Sequence, residues 1–278
     1  MRNQNIAIFE DTQRLCKINS FHKDTIEKAN LQQEVILQND PLEKNFQDKG
    51  QPAKITVSKR RTLEAAQKYK GKKVCILNFA SATNPGGGVA RGSTAQEECL
   101  CRISTLYEHL TEKALWGCFY GPHRKLYDPL YNDDCIYTPD VVVFKTDEAN
   151  PYLLPAQRWW KVNVITCAAP NLRPDRNTGK TIRISDKALM ELHIQRARRI
   201  LDIAAAKGND VVILGAFGCG AFLNPPEVVA KAMKHVVEEY RNFFDMIGFS
   251  VYCSPKDVTN FRVLRRFLQR EAKYEPSI

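Results

Sequence analysis

Seven residues separate three consecutive glycines, Gly86, Gly87 and Gly88, from the triplet Gln96-Glu97-Glu98. Paired carboxylates are a residue type that does general acid–base work. Consecutive glycines let a backbone approach a ligand closely and reach positive φ at little steric cost. An apolar strand over residues 74–77 runs into this stretch through Asn78, and Asn84-Pro85 leads directly into the glycines. The spacing predicts a helix with Thr94 as N-cap and Glu97, three residues on, as its capping-box partner. Glu98 then has no capping duty. Leu100, Ile103, Tyr107 and Leu110 carry the apolar stripe of that helix, and at 100° per residue both glutamates project away from its centre, towards whatever fills the loop. The bland alternative is two surface glutamates in a first helical turn.

A second loop, Gly215-Ala216-Phe217-Gly218-Cys219-Gly220-Ala221-Phe222, leaves the apolar run 211–214 and precedes Pro225-Pro226, which suits a helix start. Backbone N–H groups at such a junction, with the positive end of a helix dipole behind them, suit a phosphate; a tight turn is the plain alternative. The loop lacks a P-loop Lys-Ser/Thr ending and has the wrong spacing for a dinucleotide fingerprint. Phe222 is read either as a platform for a base or as core. Cys219 has no identifiable acid–base partner and reads as small filler. His22, His109, His123, His193 and His235 are scattered without metal spacing, and Tyr107, Trp159 and Trp160 read as packing residues.

The elements that must position these loops alternate. Strands are expected at 55–57, 72–79, 141–144, 162–166, 211–214 and 249–252. Helices are expected at 62–69, from 95 to about 113, at 185–207, from 225 to about 244 and at 260–271. Residues 122–140, dense in Tyr, Pro and Asp, read as loop. Apolar strands alternating with helices imply an α/β fold with a mixed or mostly parallel sheet covered on both faces. Ligands in such folds bind beyond the carboxyl ends of the strands, where both glycine loops lie. An amphipathic helix is expected near residues 6–18, followed by an irregular stretch to 50. Residues 1–54 are therefore expected to form an N-terminal extension packed on a catalytic domain spanning 55–278.

The chain has 278 residues and a net charge of +10, which points to polyanionic partners, although a basic solvated surface explains the charge more simply. Arg262, Arg265, Arg266 and Arg270 read as an ordinary helix face. No apolar run reaches the length of about 18 residues needed for a membrane span, and the first residues lack the apolar core of a signal peptide, so a cytoplasmic location is expected. Nine cysteines include no Cys-x-x-Cys pair. Free thiols, no disulfide framework and no metal site are expected.

The glycine–glutamate signature, the strand before it and the Gly-Ala-Phe-Gly-Cys-Gly-Ala-Phe loop together resemble the bacterial-type poly(ADP-ribose) glycohydrolases, over roughly residues 55 to 270. The resemblance implies a macrodomain-like mixed sheet sandwiched between helices, with an N-terminal helical extension. It implies hydrolysis of ribose–ribose O-glycosidic bonds in poly(ADP-ribose), releasing ADP-ribose from chain ends without metal or cofactor. Glu98 corresponds to the catalytic acid and Glu97 to the neighbour that places the terminal ribose. Asn84 and the backbone of Gly86, Gly87 and Gly88 would line the distal ribose, with Val89 and Gln96 as further substrate-binding residues. Gly218, Cys219, Gly220 and Ala221 would hold the diphosphate, and Phe222 matches an aromatic that stacks on adenine. The implied partners are poly(ADP-ribose) or ADP-ribosylated protein, with nucleic acid allowed but not required. A mono-ADP-ribosyl hydrolase and a non-catalytic ADP-ribose reader are the alternatives; a reader has no need of Gln96-Glu97-Glu98.

Overall fold

A computed structural model describes residues 2–44, 46–175, 178–254 and 257–269. The elements in chain order begin with α1 (Arg2–Ile18), α2 (Ser20–Asn30), β1 (Glu34–Ile36), β2 (Lys54–Ser58), α3 (Thr62–Ala66) and β3 (Val74–Phe79). Then come α4 (Gln96–Ile103), α5 (Leu106–Leu110) and α6 (Lys113–Leu115), which passes through a π-turn, Trp116–Tyr120, into α7 (Gly121–Leu126). The chain continues with β4 (Cys135–Val143), β5 (Trp160–Cys167), α8 (Asp186–Ala206), β6 (Val211–Gly215), α9 (Pro226–Glu239), β7 (Met246–Ser250) and α10 (Thr259–Leu268).

The strands form one sheet in the order β1-β4-β5-β3-β6-β7-β2. The run from β5 to β2 is parallel, while β4 lies antiparallel to both β5 and β1. Alternation along each strand sends side chains to opposite faces. Cys75 and Leu77 of β3 join Val212, Leu214, Ile247 and Phe249 against Ile200 of α8 and Val229 and Met233 of α9. Val74 and Ile76 face the other way, with Val164 and Ile213, against Leu63 of α3, Leu100 and Ile103 of α4 and Leu106 of α5. The result is the expected mixed sheet between two helical layers.

The structure corrects several expected boundaries. The helix expected from 95 to 113 stops at Ile103: Ser104 is extended and bridges Val143, Thr105 N–H donates to Val142 O, and Val142 N–H donates to Thr105 Oγ1. This segment thus partners β4, and the Ser104 and Thr105 hydroxyls supply side-chain bonds that compete with the helix. Residues 122–140 are not all loop: α7 and the first half of β4 lie there, because Cys135–Tyr137 pairs on both sides with β1 and β5. Inside the stretch expected to be irregular, Glu34–Ile36 is an edge strand of the same sheet. The last helix is α10; Arg270 and Glu271 lie outside the described residues.

The N-terminal helices are bound to the layer that carries the site. Lys145, 3% exposed, donates from Nζ to Ile8 O, Asp11 Oδ2 and Thr12 Oγ1 of α1. Asn5 Nδ2 donates to Gly92 O at 3.2 Å, and Thr12 Oγ1 donates to Arg102 O at 2.5 Å.

Candidate active site

The first loop begins where β3 stops, and the Gln96 side chain fastens the start of α4 to that point. Gln96 Oε1 accepts from Phe79 N–H at 2.8 Å, while Nε2 donates to Leu77 O at 2.8 Å and Thr62 Oγ1 at 3.1 Å. The side chain thereby extends the hydrogen bonding of the strand end into the first helical turn. The chain then folds back through successive turns, Gly87 N–H to Asn84 O, Val89 N–H to Gly86 O and Arg91 N–H to Gly88 O. Gly86 and Gly87 sit at φ of 64° and 59°, in the left-handed region. Their lack of a side chain has a second cause: a Cβ on Gly87 would lie 2.6 Å from Glu98 Oε1 and 3.0 Å from Glu97 Oε2, and one on Gly86 would lie 2.7 Å from the Tyr107 ring. The glycines are packed against the acids.

The two acids differ sharply in their bonding. Glu97, 3% exposed, accepts from Ser81 N–H at 2.9 Å on Oε2 and from Asn78 Nδ2 at 3.3 Å on Oε1. Burial, reinforced by the adjacent Glu98 charge, outweighs these hydrogen bonds and pushes the Glu97 carboxyl up to about 8. Glu98, 7% exposed, accepts from Gly88 N–H at 2.8 Å on Oε1, while its Oε2 is buried with no hydrogen-bond partner. The expected capping box is not formed. Ala95 is the N-cap, no side chain caps the helix, and Glu97 turns instead into the loop, where Ser81 and Asn78 meet it. Both carboxylates still occupy the first turn of α4.

The second loop hangs on one buried side chain, Asn224, that no sequence motif singles out. Asn224 donates from Nδ2 to Pro170 O at 2.6 Å and to Gly218 O at 3.1 Å, and its Oδ1 pairs with His193 Nε2 at 2.9 Å. Gly218 is at φ 80°, and a Cβ there would lie 2.6 Å from Asn224 Nδ2 and 2.7 Å from Ala169. Cys219 is mostly buried, its thiol pushed up to about 12 by burial, so it is a neutral filler at neutral pH. Phe222 stands 6.3 Å from the Tyr131 ring between centroids. The segment carrying Tyr131 is held by Arg196 of α8, which reaches Leu130 O, Ala168 O and the Asp133 carboxylate.

Both loops open into one cleft of about 1360 Å³. Asn84, Gly87, Gly88, Gln96, Glu97 and Glu98 line it from the first loop, and Gly218, Gly220, Ala221 and Phe222 from the second. Gly86, Val89 and Cys219 do not reach its surface; Val89 is 1% exposed in the core beneath. Arg60, Arg61, Arg91, Arg124, Arg173 and Lys180 add a basic rim suited to an anionic ligand. Arg124 also braces the first loop, donating to Thr83 O at 2.6 Å and to Asn84 Oδ1 at 2.7 Å while lying over the Trp116 ring. Arg124, Tyr131 and Asn224 escaped the sequence reading, because none belongs to a glycine loop or an acidic motif, and Asn78 was read only as the strand residue leading into the first loop. The helical start at Gly121-Pro122 was the one local cue near Arg124.

Among the described residues, no group of three or more His, Cys, Asp or Glu side chains is placed to hold a metal ion, and no helix is long and apolar enough to cross a membrane. A family model described as the microbial-type PARG (poly(ADP-ribose) glycohydrolase) catalytic domain matches residues 4–146. Among solved structures, the poly(ADP-ribose) glycohydrolase from Thermomonospora curvata is 29% identical with a TM-score of 0.82, covering 96% of this chain and 100% of that one. The same protein bound to the inhibitor ADP-HPD matches with 27% identity and a TM-score of 0.79, covering 95% of this chain and 99% of that one. The poly(ADP-ribose) glycohydrolase from Deinococcus radiodurans in complex with ADP-ribose is 31% identical with a TM-score of 0.75, covering 88% of this chain and 97% of that one. A comparison with curated proteins finds no match.

Proposed function

The chain belongs to the microbial-type poly(ADP-ribose) glycohydrolase family, and from that premise we propose that Glu98 is the acid–base residue of its glycosidase activity. The activity is hydrolysis of poly(ADP-ribose) bonds, and the ligand is ADP-ribose within that polymer. The observation that carries the role of Glu98 is its free oxygen. Oε1 is fixed by Gly88 N–H, Oε2 is buried without a partner, and the carboxylate lies in the wall of the cleft.

Glycosidic cleavage ordinarily divides its work between two carboxylates. Here Glu97 has both oxygens engaged by the loop, which supports a positioning role for it and leaves both proton transfers to Glu98. Glu98 gives a proton to the departing 2′ oxygen as the C1–O bond breaks, leaving an oxocarbenium ion on the terminal ribose. A water then adds to that carbon and returns its proton to Glu98, so the carboxyl ends as it began. The ligand's own diphosphate, held by the second loop, stabilises the cation across the cleft. Asn84, Gly87 and Gly88 line the ribose end; Gly218, Gly220 and Ala221 cradle the diphosphate. Phe222, with Tyr131 beside it, is the aromatic wall on which the ligand packs. Gln96 supports the site through β3, Gly86 and Val89 through the packing beneath the loop, and Cys219 by filling the second loop.

Residues 1–54 fit a packed extension of a catalytic domain spanning 55–278, since α1 bonds to Gly92, Arg102 and Lys145. Nine free cysteines support a reducing, cytoplasmic location. The test is Glu98→Gln, assayed for ADP-ribose release from polymer, from mono-modified protein and from mono-modified DNA, with ADP-ribose binding measured in parallel. The expected result is loss of polymer turnover by about 10³-fold or more with binding kept. Turnover retained in the variant would overturn the assignment. Release only from mono-modified substrates by the wild type would favour the mono-ADP-ribosyl hydrolase, and binding without any release a reader.

A further inference from the structure

A second groove, about 1260 Å³, runs between α10, α9 and the end of β2, outside the catalytic cleft. Lys59, Lys234, Arg241, Arg262, Arg265 and Arg266 line it, with Glu238 as the one carboxylate among the described lining residues. Arg241 pairs with Glu238 at 3.4 Å and Arg266 with Glu227 at 2.7 Å. Among the described residues, Lys59, Lys234, Arg262 and Arg265 form no salt bridge, so four cations remain uncompensated along one channel. Aromatic rings are interleaved with them: Lys59 lies 5.1 Å from the Phe261 ring centroid and Arg266 lies 4.7 Å from that of Phe267.

The groove adjoins the cleft. Arg60, Arg61 and Asn260 line the cleft, whereas their chain neighbours Lys59 and Phe261 line the groove. Arg61 reaches Cys99 Sγ at 3.8 Å, and Cys99 directly follows Glu98. Basic side chains therefore run from beside Glu98 through Arg61 and Arg60, the latter paired with Glu64 at 3.0 Å, to Lys59 and on along α10. The leaving group that Glu98 protonates is the rest of the polymer, which must emerge beside the acid, and each of its units carries a diphosphate.

We propose that this groove is an exosite that holds the body of poly(ADP-ribose) while the terminal unit occupies the cleft. The proposal rests on the glycohydrolase reading and deepens it. Charge complementarity makes the contact sequence-independent and salt-dependent, as for other single-stranded polyanions. The groove's adjacency to the cleft that takes the terminal unit favours the polymer over nucleic acid as its occupant.

The test compares the wild-type chain with Lys234→Gln/Arg262→Gln/Arg265→Gln, all three being exposed positions outside the cleft. Both proteins are assayed on long polymer and on the two-unit fragment, and equilibrium binding of long polymer is measured at several salt concentrations. Loss of three phosphate contacts raises KM for long polymer about tenfold, leaves kcat and all two-unit kinetics unchanged, and lowers the salt slope of polymer affinity by about 2. Equal effects on both substrates, or a long-polymer KM within about twofold of wild type, overturn the proposal. So does a variant that loses affinity for single-stranded RNA while its polymer kinetics stay intact. Failure of the glycohydrolase reading shows separately, as a wild type that releases no ADP-ribose. The groove is then judged by the polymer affinity of the same two proteins, which supports it if the variant binds more weakly and overturns it if the two bind alike.

Discussion

Adding one methyl group at Gly87 tests whether the glycine loop exists to seat the acids. A Cβ there would stand 2.6 Å from Glu98 Oε1, against about 3.4 Å for an ordinary contact, so the carboxylate must retreat by about 0.8 Å. The retreat strains the 2.8 Å bond from Gly88 N–H that fixes Glu98. A reacting group misplaced by about 1 Å loses roughly 10²-fold in rate, and Gly87→Ala is expected to lose about that much kcat. The backbone adds its own cost, because φ of 59° disfavours any side chain by about 1–2 kcal/mol. Gly50→Ala separates the two effects: its φ of 70° is equally left-handed, but a Cβ there meets nothing within 4 Å. Both variants should melt a few degrees lower, and only Gly87→Ala should lose turnover. The assay is single-turnover release of ADP-ribose from polymer, with thermal melts of all three proteins. If Gly87→Ala stays within about threefold of the wild-type kcat, the acids are not held by contact with the loop and the reasoning fails.

Two further outcomes follow from the same site. The Glu97 carboxyl, at about 8 in the folded chain against an ordinary 4.5, binds its proton more tightly folded than unfolded. Its contribution is complete below about pH 4.5 and is lost as pH rises through about 8, so on the order of a few kcal/mol should disappear over that window. Urea midpoints across the window should show this loss in the wild type and a smaller one in Glu97→Gln; equal slopes would refute a raised Glu97. At the second loop, Asn224→Ala strips the partners from His193 Nε2 and Pro170 O in a buried setting and leaves Gly218 O with only the backbone N–H of residue 224. That should destabilise the chain by about 3 kcal/mol and weaken ADP-ribose binding at least tenfold, measured by denaturation and calorimetry; unchanged binding would show that the loop holds its shape without Asn224.

Both loops were legible in the sequence because glycine runs and apolar strands are local signals, and their position beyond parallel strands follows from alternation of elements. Long-range pairing was not legible. The three residues of β1 carry too little pattern to be seen alone, and they become a strand only because Cys135–Tyr137 offers an edge. The same edge of β4, farther along, draws Ser104 and Thr105 out of the expected helix. The reason the sequence offered for setting the two glutamates apart, a capping box at Glu97, is replaced in the structure. Glu97 is occupied, yet by Ser81 N–H and Asn78 across the loop and not by a capping box. Polar side chains that organise a site from outside its motif, such as Asn78, Arg124 and Asn224, give no spacing signal, since their partners are distant in sequence.

The strand order also bears on when during synthesis the site can exist. The acid and its glycine loop leave β3 early in the chain, but β3 lies between β5 and β6, and the far edge of the sheet is closed by β2 pairing with β7. The loop that completes the cleft follows β6, and β2 waits unpaired until residues 246–250 have been made. Such non-local closure is slow and comes late, since loop-closure entropy must be met before the contacts form. A nascent chain therefore carries Glu98 and its glycine loop long before the strands that enclose them, and the sheet around the cleft closes only once residues 246–250 are available to β2.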